Sequence, residues 1–76
     1  MQWQTHIGSN PQILGGKPIV LGTRLAVDFL LGLLGEGWTE KQIIENYPAL
    51  TSDALRAVFA FAAETLSDDF LHPIAH

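Results

Sequence analysis

Up to about Thr23, apolar residues fall in short clusters, Ile13-Leu14 and Ile19-Val20-Leu21, between Gly8, Pro11, Gly15, Gly16, Pro18 and Gly22. Such punctuation marks turns between short extended pieces. Gly15-Gly16-Lys17-Pro18 has the length of a hairpin loop joining the two clusters as strands. Pro18 has no N–H to give a ladder and belongs at a strand start or on an edge. From Leu25 the texture turns helical. Ala26 to Leu34 is apolar nearly all round, broken only by Asp28 and Gly32, and such a helix must be covered on more than one side. Gly35-Glu36-Gly37 ends it. Thr39-Glu40-Lys41-Gln42 reads as a capping box, with Trp38 before the cap and Ile43 placed to close a hydrophobic staple. This second helix runs to about Asn46, ahead of Pro48. The third opens at the N-cap Thr51, with Asp53 in the first turn and Leu50 and Leu55 as a second staple. Leu55, Val58, Phe59, Ala62 and Leu66 follow helical spacing and form the expected core stripe, and Phe61 falls off it.

The predicted fold is mostly α: a short N-terminal β-hairpin followed by a three-helix bundle. Residues 1–66 make a single domain, with 1–24 as the hairpin arm, 25–66 as the helical core and 67–76 as a C-terminal tail. Tyr47-Pro48-Ala49-Leu50, between helices two and three, has helix-turn-helix length.

Composition changes this picture in one respect. A chain of 76 residues buries only about 60% of its unfolded surface, yet 47% of this one is hydrophobic and 16% charged, with no cysteine to brace it. Sharing apolar surface with a second copy is the expected solution, so a homodimer is anticipated. No signal peptide is evident in MQWQTHIGSN, and the apolar stretch from Leu25 to Leu34 is too short to span a bilayer. The expectation is a soluble, cytoplasmic protein without a membrane partner or a small-molecule substrate.

Candidate chemistry is sparse. A phosphate loop needs Lys-Ser/Thr entering a helix, whereas Lys17 is followed by proline and then a strand. His72 and His76 have helical metal spacing, but Pro73 lies between them, and Ser9 and His6 are ordinary turn residues. Asp28 sits in the first turn of a helix, where it compensates the dipole, and no second acid stands beside it. No catalytic, metal-binding or cofactor-binding set is therefore expected, and the chain reads as a non-enzyme. The candidates for DNA contact are its only cations, Lys17, Arg24, Lys41 and Arg56, set against eight acids and a net charge of −4. Tight nonspecific binders neutralise about six or more phosphates. DNA binding and a plain three-helix scaffold thus stand as equal alternatives. For Lys17 and Arg24 the simpler reading is a hairpin in which Arg24 caps or salt-bridges locally. The interface candidates are Ile19, Val20 and Leu21 on the hairpin, Phe29 and Leu33 on helix one, and Phe61. In the tail, Asp68, Asp69 and Phe70 have the acid-plus-apolar character of a segment that orders on a basic partner.

Gly16-Lys17-Pro18, Gly22-Thr23-Arg24, the Tyr47-Pro48-x-Leu50-Thr51 joint and the small-residue helix ending Phe61-Ala62-Ala63 together resemble the bacterial family of domain of unknown function 433. The resemblance spans Ile7 to Glu64. It implies a homeodomain-like fold with an N-terminal β extension, and no enzymatic activity or cofactor. It further implies an antitoxin role beside PIN-like nucleases, with a C-terminal segment that covers the nuclease site. Members often carry a basic residue where Leu21 stands and proline where Ala26 stands, so the hairpin here has lost a positive charge. The leading expectation is an antitoxin of a type II pair that binds a PIN-like ribonuclease and represses its own promoter. The alternatives are a DNA-binding regulator without a toxin and a structural dimerisation module.

Overall fold

The computed structural model describes residues 1–67. The chain is a short antiparallel hairpin followed by three helices. Strand β1 is Ile7–Gly8 and β2 is Ile19–Val20, with Ile7 opposite Val20 and Gly8 opposite Ile19. Helix α1 spans Val27–Gly35, α2 Glu40–Asn46 and α3 Ser52–Leu66.

The strand partner of Ile19-Val20 is therefore Ile7-Gly8, and the expected pairing with Ile13-Leu14 does not form. The reason lies in the backbone at Leu14, Gly15 and Gly16, whose φ values of 52°, 67° and 87° are all left-handed. Three such residues in a row cannot continue a strand. They make a tight turn, closed by the Gly16 N–H donating to the Ile13 carbonyl at 3.0 Å. On its other side β2 meets the chain's own return. The Val20 N–H donates to the Leu25 carbonyl at 3.0 Å, Ile19 bridges to Ala26, and the Val27 N–H donates to the Pro18 carbonyl at 2.9 Å. Strand β2 thus has chain on both sides, and Pro18 enters it from the end.

Local signals set the helix ends. After α1, the Trp38 N–H donates to the Leu33 carbonyl and the Gly37 N–H to the Leu34 carbonyl, while Gly37 sits at φ 98°. This is a Schellman stop built on a left-handed glycine. At α2 the capping box closes in both directions: the Gln42 N–H donates to Thr39 Oγ1, and the Thr39 N–H to Gln42 Oε1. Thr51 Oγ1 accepts from the Ala54 N–H at the start of α3.

Leu30 of α1, Ile43 of α2, and Leu55 and Val58 of α3 are fully enclosed and form the centre of the core. Ile7, Val20, Val27, Leu50, Ala54 and Ala57 surround them. Among the described residues no polar or charged side chain is buried, so apolar packing alone holds the interior. The buried face of α3 is Ala54, Leu55, Ala57 and Val58, one residue out of phase with the expected stripe. Phe59 and Leu66, expected inside, are 40% and 48% exposed. With Ala54, Leu55, Ala57 and Val58 turned inward, Phe59 falls on the outer side of α3. Phe61 turns inward onto the N-terminal turn Trp3–Thr5, its ring edge-to-face with Trp3.

Candidate functional site

A cleft of about 420 Å³ lies between the Leu14–Lys17 turn, the Arg24–Ala26 return and the first turn of α1, with Tyr47 at the end of α2 closing one side. Its walls are mainly apolar: Leu14, Leu25, Ala26, Phe29 and Tyr47. Phe29 meets Tyr47 edge-on, ring centroids 5.8 Å apart and planes at 88°. Three charged groups complete the lining: Lys17, Arg24 and Asp28.

Each position follows from local structure. The left-handed turn at Leu14–Gly16 folds Lys17 back toward α1, where its Nζ donates to Asp28 Oδ2 at 3.1 Å. Asp28 is an exposed first-turn acid of α1, so its role combines dipole compensation with this surface pair. Arg24 has no ion-pair partner among the described residues. The local capping expected of it falls to Thr23, whose Oγ1 donates to the Val20 carbonyl at 2.7 Å and accepts from the Leu25 N–H at 3.0 Å.

Of the four candidate DNA contacts, the fold brings Lys17 and Arg24 to one cleft and leaves Lys41 on α2 and Arg56 on α3, both exposed. Arg56 lies 4.0 Å from Asp53 on its own helix. Of the interface candidates, Leu21 and Phe29 are 49% and 43% exposed. Ile19, Val20 and Leu33 are buried in the chain's own core and present no surface to a partner. The correction has one cause for Ile19 and Val20: β2 is flanked on both sides and is not an edge. Phe61 is half-buried against Trp3, and its remaining surface lines a second, apolar groove of about 230 Å³ with Leu31, Ala62 and Leu66. Asp68, Asp69 and Phe70 lie outside the described residues.

Leu14 and Tyr47 were missed as site residues. Leu14 carried a faint signal in the Gly15-Gly16 pair that follows it, which permits a tight turn. Tyr47 stood out in the Tyr47-Pro48-x-Leu50-Thr51 joint, which gave no sign that its ring meets Phe29 beside Lys17 and Arg24.

These features define a small, mostly helical domain in which a β-hairpin precedes three helices, with α2 and α3 in helix-turn-helix order. The chain belongs to the family described as protein of unknown function (DUF433), whose model matches residues 7–62. It is 32% identical over 56 residues to the uncharacterized protein y4eO of Sinorhizobium fredii, a match covering 74% of this chain and 25% of that protein. The chain thus spans about a quarter of the length of that relative. Its fold is similar to the crystal structure of a DUF433 member from Anabaena variabilis, with a TM-score of 0.76 and 29% identity over 96% of this chain and 71% of that one. No helix among the described residues is long and apolar enough to cross a membrane.

Proposed function

We propose that this chain is the antitoxin of a type II toxin–antitoxin pair: a homodimer that binds a PIN-like ribonuclease and represses its own promoter. The observation that carries the reading is a pair of large apolar side chains left at the surface of one cleft, Leu14 and Phe29, with Leu21 exposed elsewhere on the hairpin, on an acidic chain. Exposed apolar surface gathered around a cleft is the signature of a protein-binding face. The net charge of −4 disfavours a polyanion as the partner at this face. Family resemblance supplies the identity of the partner class.

Promoter binding is the weaker half of the reading. Helix-turn-helix order supports it, whereas α3 offers Arg56 as its one strong donor near the N-terminus, beside Asp53.

The test is co-expression of the full chain with the product of a neighbouring PIN-like gene, followed by pull-down and ribonuclease assay. A stoichiometric complex with suppressed ribonuclease activity is expected, and a nuclease left free and active overturns the reading. A salt titration on the chain's own upstream DNA tests the promoter half, which a slope near zero removes. Removing Ser67–His76 asks whether that tail is what covers the nuclease, and undiminished neutralisation removes that element alone.

A further inference from the structure

We infer that the cleft between Lys17, Arg24 and Phe29 is a docking site for an acidic peptide segment of a protein partner, one that sets carboxylates beside a bulky apolar side chain. The inference deepens the partner-binding reading above and rests on it only in taking the occupant to be a protein.

Charge placement carries the argument. Half of the four cations of an acidic chain line this one cleft. Asp28 holds Lys17 at 3.1 Å, so the three charged groups leave an excess of one positive charge, on the side of Arg24. A guanidinium with no ion-pair partner among the described residues presents a planar donor fork that matches a carboxylate. One surplus charge is too little for nucleic acid, whose binders neutralise several phosphates at once. It suffices for one or two carboxylates.

The walls select the rest of the ligand. The Phe29 ring is 43% exposed and held edge-on by Tyr47, and Leu14 is 49% exposed beside it. An apolar side chain set on this surface removes it from water, while its neighbouring carboxylate reaches Arg24. Leu14 adds an independent sign. It is the one non-glycine with positive φ among the described residues, at 52°. A bulky residue kept left-handed and exposed costs backbone energy without burying its side chain, and such costs cluster at binding sites.

The test uses the full chain and short fluorescein-labelled peptides read by anisotropy. The first carries Glu-Asp-Trp-Ile, the second Gln-Asn-Trp-Ile and the third Glu-Asp-Ser-Ser, each between Gly-Ser flanks. A single-stranded oligonucleotide serves as the competing polyanion. The expected result is preference for the first peptide by roughly tenfold or more over the others. Arg24→Glu and Phe29→Ser should each lose about that factor, with Lys41→Glu unchanged. Arg24 is exposed, so its variant keeps the test valid if Phe29→Ser fails to fold. Equal binding of the acidic and neutral peptides overturns the inference. So does tighter binding of the oligonucleotide, or a concentration-dependent self-association that Arg24→Glu abolishes while peptide binding is absent. If Arg24→Glu neutralises a cognate nuclease as well as wild type does, this site falls and the antitoxin reading stands. Peptide binding without any nuclease complex gives the reverse.

Discussion

The Trp3 indole stands edge-on to the Phe61 ring, centroids 4.9 Å apart and planes at 74°, and its Nε1 donates to Glu64 Oε2 at 2.7 Å. Two residues from opposite ends of the domain are thereby joined, and the N-terminal turn becomes a cover for α3. Edge-to-face pairs contribute about 0.5–1.5 kcal/mol beyond their buried area. Trp3→Ala and Phe61→Ala should each lower the melting temperature, and the double-mutant cycle should return a coupling of about 1 kcal/mol. Independent, additive losses would mean that the turn does not dock on α3 in solution.

Two glycines around the end of α1 should respond with opposite sign. Gly32 lies inside the helix with open space around the site of an added Cβ, so Gly32→Ala should stabilise by about 0.5–1 kcal/mol. Gly37 is held at φ 98° by the Schellman hydrogen bonds, so Gly37→Ala should destabilise by about 1–2 kcal/mol despite equally open space. Urea midpoints of the two variants, shifting in opposite directions from wild type, check this.

Leu14→Asn should separate stability from binding. Asparagine tolerates the left-handed backbone that leucine resists, so the folded state should gain up to about 1 kcal/mol. The same change strips apolar surface from the cleft, and binding of the acidic-apolar peptide should weaken. A variant that melts lower and binds as well as wild type would refute both halves.

The Lys17–Asp28 pair is exposed on both sides, at 59% and 66%. Such pairs contribute about 0–1 kcal/mol, so Asp28→Asn should leave the melting temperature within a few degrees of wild type. It should tighten the acidic peptide, because it releases the second cation to the cleft, and added salt should erase that gain.

The two threonine caps should act independently. Thr39→Ala and Thr51→Ala each remove an acceptor for a helix N–H, at Gln42 and Ala54 respectively. Each should cost about 1 kcal/mol, and the double variant should show their sum, since the caps share no hydrogen-bond partner. Denaturant midpoints of the three variants measure this directly.

Where a signal is local, it could be read directly from the residues. Thr39 with Gln42, Gly37 after α1 and Thr51 before α3 satisfy backbone groups within a turn of themselves, and those helix boundaries follow from neighbours alone. The same holds for the class of fold, since an apolar α1 needs covering on several sides wherever it lies. The site was legible in its scarce cations, Lys17 and Arg24, and in Phe29 on the apolar helix, but nothing in the spacing showed that the three line one cleft with Tyr47.

What the sequence by itself determined was the three helices with their caps, the extended character of Ile19-Val20 and the shortage of cations. Tertiary structure alone decided that β2 pairs with Ile7-Gly8 and is flanked by Leu25-Ala26 on its other side, and that α3 turns Phe61 inward and Phe59 outward. The physical reason is that strand pairing and helix rotation are chosen by contacts between residues far apart in the chain. Many alternatives with the same local pattern bury similar apolar area, and only packing in three dimensions separates them.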